Sequence, residues 1–163
     1  MAKNQLIGVD SYESDSDIFS QNKRAGMPEI AKIYREYVQR CKLANAMDFD
    51  DLLVYTYRLF VERNDVLKKY GKIFKYIMVD EYQDTNYVQK KILTLLYNVM
   101  EEKAICAVGD DSQSIYSFRG ANIDNILSFT RDFPAENGNY ARLFKLEQNY
   151  RSTQTIVEAA NSL

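Results

Sequence analysis

Histidine is absent from the 163 residues, and its absence removes two kinds of chemistry at once. Without an imidazole side chain the protein has neither a histidine general base nor a histidine-ligated metal. Tryptophan is also absent, and there are only two prolines and two cysteines. The cysteines, Cys41 and Cys106, lie in a helical and a strand pattern respectively, so we expect buried free thiols rather than a disulfide. That expectation fits a reducing cytoplasm.

An excess of positive charge is missing as well. The chain has 21 lysines and arginines against 23 acidic residues, for a net charge of −2. A stand-alone nucleic-acid-binding domain usually carries a basic surface, so any such contact here has to be local. No apolar run approaches the roughly 18 residues of a membrane span, and the N-terminus has no signal-peptide pattern. We therefore expect no membrane partner and a cytoplasmic protein.

One common phosphate-binding motif is missing. The P-loop pattern G-x-x-x-x-G-K-[ST] places a first glycine upstream of a Gly-Lys pair. Gly71-Lys72 is the only Gly-Lys pair in the sequence, and Val66 occupies the position of the first glycine. The phosphate-cradling loop, its lysine and its hydroxyl ligand for Mg²⁺ would all have to come from outside the chain.

The N-terminal part of the chain predicts helices alone. Residues 1–26 are polar without sustained periodicity, which is typical of a loop or a frayed start. Pro28 then opens a helix whose apolar residues recur along one face. A second helix begins at about Asp48, the expected N-cap. A short third helix over Asp65–Tyr70 ends at Gly71.

The pattern changes from Ile73 onwards, where strand-like runs alternate with helical ones. Such alternation indicates an α/β fold, with a parallel sheet and crossover helices. The predicted strands are Phe74–Val79, Ala104–Val108 and Arg142–Leu146. The predicted helices run from Asn86 to about Met100, from Asn122 or Asp124 onwards, and from a cap at Ser152 or Thr153.

The most informative stretch is Tyr76-Ile-Met-Val-Asp-Glu-Tyr-Gln-Asp-Thr-Asn86. Its apolar run ends abruptly in Asp80 and Glu81, so both acids should lie where a buried strand emerges at a sheet edge, a usual place for ligands. Side chains alternate along a strand, which allows the two carboxylates different tasks. Asp80 would hold Mg²⁺ on a nucleotide, and Glu81 would orient or deprotonate the attacking water. Taken alone, such a junction is more often a strand end with two solvated acids.

Four segments together resemble the UvrD/Rep/PcrA family of superfamily-one DNA helicases. Asp80-Glu-Tyr-Gln-Asp-Thr-Asn86 resembles the Walker B segment, motif II of that family. Val108-Gly-Asp-Asp-Ser-Gln-Ser-Ile-Tyr-Ser-Phe-Arg-Gly-Ala121 resembles motif III, and Leu146-Glu-Gln-Asn-Tyr-Arg-Ser152 resembles motif IV. Asp48-Phe-Asp-Asp-Leu-Leu53 is a further match upstream. The four occur in the family's order, which is far more specific than any single motif.

The resemblance implies the use of ATP and Mg²⁺, and it implies roles for particular residues. In the family, the residue matching Gln113 contacts the terminal phosphate and reports its loss to the DNA site. The residue matching Tyr150 stacks on the adenine, and the one matching Arg151 neutralises charge on the terminal phosphate as an arginine finger. Gln83 and Asp84 match positions that link the two sites.

The loop after Gln113 is the part that the resemblance assigns to single-stranded DNA. Tyr116 and Phe118 are aromatic residues in a polar loop, and stacking on a base contributes about 1–3 kcal/mol with little sequence preference. The family usually has tryptophan at the position of Phe118, so this ring offers less area. Arg119 matches an arginine that ties the loop to the nucleotide or to DNA phosphate. The alternatives are two rings packed on their own loop and an ordinary surface arginine.

The resemblance also implies a fold and an extent. It implies a partial RecA-like P-loop domain over residues 73–151, preceded by a helical accessory subdomain over residues 1–72 and followed by the start of another segment over residues 152–163. The chain would then be an internal fragment of a 3′ to 5′ DNA helicase, inactive without the remainder. The alternatives are a helicase–nuclease subunit of the RecB/AddA type and a non-catalytic interaction module. Four retained site residues argue against the last: Asp80, Glu81, Gln113 and Arg151.

Overall fold

The computed structural model describes residues 2–116, 120–134 and 141–162. The helices in chain order are α1 (Val9–Ser14), α2 (Ser16–Arg24), α3 (Ile30–Leu43), α4 (Phe49–Glu62), α5 (Asn64–Ile73), α6 (Tyr87–Val99), α7 (Asp124–Leu127), α8 (Phe129–Asp132) and α9 (Gln154–Asn161). The strands are β1 (Ile77–Val79) and β2 (Ile105–Ala107), and short 3₁₀ turns lie at Lys3–Gln5, Tyr82–Asp84 and Asp111–Gln113. Within these described ranges, no helix is long and apolar enough to cross a membrane.

The N-terminal segment is helical, so the prediction of a loop over residues 1–26 is wrong. α1 and α2 occupy most of this segment. Asp15 explains where α2 begins, because its carboxylate accepts hydrogen bonds from the backbone N–H groups of Asp17 and Ile18. Both helices are short and rich in Ser and Asp, and neither buries a residue fully. They therefore lack the apolar periodicity by which a helix is usually recognised in a sequence.

α4 begins where the sequence predicts. The Asp48 carboxylate accepts a hydrogen bond from the Asp51 backbone N–H at 2.8 Å, and the Asp51 carboxylate accepts one from the Asp48 N–H at 3.2 Å. This reciprocal capping box satisfies two backbone donors at the start of the helix. α3 is also present, although it begins at Ile30 and Pro28 lies in the preceding turn.

α5 continues past Gly71, so the prediction that this glycine ends the helix is wrong. Gly71 lies where α5 packs on α6, and a Cβ atom there would be 2.7 Å from Val99 Cγ2. The glycine therefore serves close helix packing rather than helix termination. The contact belongs to a core between α4, α5 and α6 whose buried members are Phe60, Leu67 and Leu96. The boundary between residues 72 and 73 falls in the last turn of α5 and stays a prediction.

β1 and β2 form a parallel pair, in register from Ile77 opposite Ile105 to Val79 opposite Ala107. α6 connects the two strands, as expected of an α/β unit. One face of the pair packs on a second core cluster, which contains the buried side chains of Tyr82, Tyr97 and Phe133.

The opposite face of the two strands is exposed. Met78 keeps 80 % of its surface accessible, and Cys106 beside it is exposed as well. Both cysteines are free, as predicted, but the expectation that they are buried is wrong, because Cys41 is only partly covered. The sequence pattern indicated a buried strand, and among the described residues only one face of β1 is covered.

The chain beyond β2 departs most from the prediction. α7 and α8 occupy the predicted helical stretch, divided at Ser128. The predicted strand Arg142–Leu146 is wrong, because residues 141–149 have no regular secondary structure. An apolar run forms a strand only where it can hydrogen-bond to a neighbouring strand, and neither described strand pairs with residues 142–146. α9 follows Thr153 as predicted, although the Thr153 side chain makes no capping hydrogen bond.

Candidate active site

The two strands end at the same edge of the sheet because they run parallel. Asp80 and Glu81 follow β1, and residues 108–110 follow β2. The backbone N–H of Tyr82 donates to the carbonyl of Val108 at 2.9 Å, so the two loops are joined just beyond the strands. The structure thus brings together the segments that resemble motifs II and III.

Asp80 and Glu81 are exposed acids on a sharp turn of the backbone. The Glu81 N–H donates to one oxygen of Asp80 at 2.9 Å. Glu81 has φ 48° and ψ 46°, a left-handed conformation that costs a non-glycine residue about 1–3 kcal/mol. Strained backbone of this kind clusters at functional sites. Both acids follow the last residue of β1, so this turn, and not the alternation of side chains along a strand, sets the direction of each side chain.

Gln83 is buried between the two loops, with 1 % of its surface exposed. Its Nε2 donates to Glu81 Oε2 at 2.7 Å, and its Oε1 accepts the Asp110 backbone N–H at 3.0 Å. One partner can only accept and the other can only donate, so this is the one amide orientation that satisfies both.

Gln113 is connected to the acids through Asp110. Gln113 Nε2 donates to Asp110 Oδ2 at 2.7 Å, and the other Asp110 oxygen accepts the Ser112 N–H at 3.0 Å. Glu81, Gln83, Asp110 and Gln113 thus form one hydrogen-bonded row, called here the acid–amide row. No sequence pattern pointed to Asp110, because its place in the row depends on two loops that meet only in the folded chain.

The loop predicted to bind single-stranded DNA is described only in part. Tyr116 is 37 % exposed and lies shortly after the 3₁₀ turn that contains Gln113. Phe118 and Arg119 lie outside the described residues. The stacking roles of both rings and the phosphate role of Arg119 stay predictions.

Tyr150 and Arg151 are not brought to the acid–amide row by any hydrogen bond or ion pair between described residues. Tyr150 is 86 % exposed, and its hydroxyl donates to Gln148 at 2.9 Å. The Arg151 backbone N–H donates to Asn149 at 2.9 Å, while its side chain is exposed. Their nucleotide-binding roles stay predictions.

Asp80 and Glu81 fit a Mg²⁺ site shared with a nucleotide better than a site formed by protein ligands alone. Across the three described ranges, no three carboxylates or thiols are grouped closely enough to form a metal cage. Mg²⁺ in nucleotide enzymes is usually held by one or two carboxylates together with water and the substrate phosphates. Asp80 suits that arrangement because it is exposed and one of its oxygens has no hydrogen-bond donor among the described residues.

The chain is similar in sequence to a family of helicase domains and to several DNA helicases. The family described as UvrD/REP helicase N-terminal domain matches residues 2–134. An ATP-dependent DNA helicase PcrA of Leuconostoc citreum is 42 % identical over 162 residues, which cover 99 % of this chain and 20 % of the relative. The PcrA of Staphylococcus aureus strain Mu50 is 43 % identical with the same coverage. A probable DNA helicase II homolog of Rickettsia conorii is 45 % identical over 141 residues, 84 % of this chain and 20 % of the relative.

The chain spans about a fifth of the length of these curated relatives. The family match includes both loops of the acid–amide row and all of the described fold up to Pro134. It therefore extends well beyond a few short motifs. The chain belongs to the UvrD/REP helicase N-terminal domain family.

Proposed function

We propose that this chain is the part of an ATP-dependent DNA helicase that contributes the acidic side of the ATPase site. The helicase translocates 3′ to 5′ on single-stranded DNA and couples this movement to ATP hydrolysis. The observation that carries the proposal is the acid–amide row, which joins Glu81 to Gln113 at one edge of a parallel sheet. The relatives named as ATP-dependent DNA helicases support it.

The acids have separate tasks in the proposed reaction. Asp80 holds Mg²⁺, which neutralises charge on the nucleotide phosphates. Glu81 orients the attacking water and accepts its proton. Gln113 contacts the terminal phosphate, and Tyr150 and Arg151 bind the nucleotide, Tyr150 at the adenine and Arg151 at the terminal phosphate.

The proposed site is completed by chain that is not present here. The missing phosphate-binding loop would neutralise and position the phosphates, and without it the reacting groups are neither aligned nor charge-compensated. The exposed face of the sheet, where Met78 is 80 % accessible, suits the other half of a RecA-like domain. We therefore assign residues 73–151 to the second half of that domain and residues 1–72 to a helical accessory subdomain, with residues 152–163 starting the next segment.

The proposed DNA contact lies next to the nucleotide site. Tyr116 follows Gln113 closely in sequence, so a change at the terminal phosphate can be transmitted along a short segment to the DNA-binding loop. Phe118 and Arg119 complete the contact in this proposal, as a second stacking ring and a phosphate ligand.

A chimeric helicase tests the proposed function. In this protein, here called the chimera, the present chain replaces the matching segment of the Staphylococcus aureus PcrA. We expect ATP hydrolysis that is stimulated by single-stranded DNA, and unwinding of duplexes with a 3′ tail but not of those with a 5′ tail. The isolated 163-residue chain should hydrolyse ATP no faster than background.

Two results would contradict the proposal. A folded chimera without ATPase activity would favour a non-catalytic interaction module. Robust DNA-stimulated turnover by the isolated chain would show that the missing phosphate loop is not required.

A further inference from the structure

We propose that Gln83 is a positioning residue for ATP hydrolysis, whose buried amide fixes the Glu81 carboxylate by anchoring it to the backbone of the loop after β2. This inference rests on the proposed function, because it concerns Glu81, the residue proposed to orient and deprotonate the attacking water. Gln83 acquires a specific task in this proposal, and two hydrogen bonds made by its side-chain amide perform that task.

Glu81 needs such an anchor because no other described residue holds its side chain in place. Its residue is exposed, and Gln83 donates the only hydrogen bond that its carboxylate accepts from a described residue. A glutamate side chain has several rotatable bonds, so an unanchored carboxylate would sample many positions around the water. A base acts efficiently only when it lies within hydrogen-bond distance of the proton that it removes.

Gln83 can serve as an anchor because it is itself fixed. Its Oε1 accepts the Asp110 N–H at 3.0 Å, and its side chain is almost completely buried. Gly109 leaves the space for this contact, since a Cβ atom at Gly109 would lie 2.5 Å from Gln83 Oε1. A buried side chain with both ends bonded is the kind of support that keeps a functional group in place.

The chemistry of the amide is specific to this position. A glutamate in place of Gln83 would set a second carboxylate against Glu81 and leave the Nε2 donor missing. A methionine would keep the length and bulk of the side chain but remove both hydrogen bonds. Gln83→Met is therefore the variant that isolates the hydrogen bonds from the packing.

The main test measures ATP hydrolysis by the chimera carrying Gln83→Met. We expect kcat to fall by about 10- to 100-fold, since small displacements of a catalytic group cost up to about that much. The KM for ATP should change little, because the carboxylate acts on the water and not on nucleotide binding. Gln89→Met is the matched control: Gln89 Oε1 accepts the Asn86 N–H at 2.8 Å in the cap of α6. It should lower the melting temperature and leave kcat unchanged.

The same substitution in a chimera that already carries Glu81→Gln distinguishes a positioning role of Gln83 from a general structural role. If Gln83 acts through Glu81, then Gln83→Met should cause no further loss of kcat in a chimera that already carries Glu81→Gln. A residue that merely stabilises the fold would reduce kcat in both backgrounds. An equal loss in both backgrounds, or an unchanged kcat for Gln83→Met alone, would overturn the proposal.

Hydrogen exchange in the isolated chain keeps this test distinct from the test of function. In the native chain the Asp110 N–H is bonded to Gln83, so Gln83→Met should speed its exchange while Gln89→Met does not. An unaltered chimera without ATPase activity would count against the proposed function alone. Unchanged Asp110 exchange in Gln83→Met would overturn the anchor itself, whatever the chimera does.

Discussion

The ammonium group of Lys3 lies 2.7 Å from a carboxylate oxygen of Asp48, so one side chain joins the N-terminal 3₁₀ turn to the cap of α4. The same ammonium lies 2.8 Å from Asp51, and the Tyr37 hydroxyl donates to Asp48 at 2.8 Å. Lys3 keeps only 11 % of its side chain exposed. A charge-assisted contact that is this well covered is screened less by solvent than an ordinary surface pair.

Lys3→Met should therefore destabilise the chain. It leaves the buried Asp51 carboxylate and the partly buried Asp48 carboxylate without their counter-ion, and we expect the free energy of unfolding to fall by about 1–3 kcal/mol in urea titrations. Lys32→Met is the matched control, because Lys32 pairs with Glu29 at 2.6 Å but is 79 % exposed. The control should change stability much less; equal losses would show that the burial of Lys3 is unimportant.

The same cluster predicts a dependence on acid. Burial alone would raise the pKa of Asp48, but hydrogen bonds from Lys3, the Asp51 backbone and Tyr37 outweigh it and lower the pKa to about 2. An unfolded aspartate has a pKa of about 3.9, so the folded state is favoured above that pH and this contribution is lost as the pH falls towards about 2. The difference in unfolding free energy between native chain and Asp48→Asn should shrink over that interval. A constant difference would contradict the low pKa.

Gly71→Ala should destabilise the chain even though it lies within a helix. Alanine is favoured over glycine in helices by about 1 kcal/mol, but its Cβ would lie 2.7 Å from Val99 Cγ2 and 2.9 Å from the Val99 carbonyl oxygen. Relief of these clashes requires α5 and α6 to separate, so we expect a net loss of about 1–3 kcal/mol in urea unfolding.

Gly8→Ala is the control for this prediction. Gly8 has φ −71°, and a Cβ atom there meets nothing within 4 Å. Its effect on the unfolding free energy should stay below about 1 kcal/mol. If Gly71→Ala were as harmless as Gly8→Ala, the close contact with Val99 would not exist in solution.

Local signals in the sequence predicted much of the fold. The Asp48 cap, the strand that ends at Val79 and the helix after Asn86 are all encoded within a few residues, and the structure confirms them. Gly71 was misread because a helix-ending glycine and a close-packing glycine look alike until the neighbouring helix is known. The strand at 142–146 failed for a related reason, since a strand depends on a partner elsewhere in the chain.

The candidate site likewise has features that the sequence predicts and features that depend on the folded chain. Asp80 and Glu81 could be predicted as candidates because both follow directly from one strand end, and the structure places them there. The left-handed backbone of Glu81 and the link through Asp110 could not, because they depend on how the loop after β1 meets the loop after β2. Motif resemblance supplied roles for Tyr150 and Arg151 that the described contacts do not test.

The aromatic loop gives a prediction for DNA binding by the chimera. Tyr116→Ala should cost about 1–3 kcal/mol of single-strand affinity with little dependence on base identity, because stacking uses the face of any base. ATP hydrolysis without DNA should be nearly unchanged, and more DNA should be needed for half-maximal stimulation. Tyr55→Ala, which removes a 42 % exposed ring from α4, serves as the control and should leave DNA affinity intact.

Phe118 allows a test in both directions. Phe118→Trp should hold or tighten single-strand binding, since it provides a larger stacking area. Phe118→Ala should weaken binding as Tyr116→Ala does. If Phe118→Ala instead lowers stability by about 3–5 kcal/mol, the usual cost for a buried phenylalanine, while DNA affinity is unchanged, the ring is part of the core and the stacking role fails there.

Asp80→Ala and Glu81→Gln should separate the two acids by function. In the chimera, Asp80→Ala removes the proposed Mg²⁺ ligand and should weaken the binding of Mg²⁺-nucleotide. Equilibrium titration with a non-hydrolysable ATP analogue measures this affinity. Unaltered affinity in Asp80→Ala would assign the metal to another ligand.

The decisive measurement is the rate of ATP hydrolysis by the chimera carrying Glu81→Gln, taken together with its affinity for the ATP analogue. The amide keeps the size of the side chain but cannot accept the proton of the water. Nucleotide affinity should therefore remain, while DNA-stimulated turnover falls by about 10²- to 10⁴-fold, as expected for the loss of a general base. Turnover close to that of the unaltered chimera would contradict the assignment of Glu81, and with it the claim that this chain contributes the water-activating side of the ATPase site.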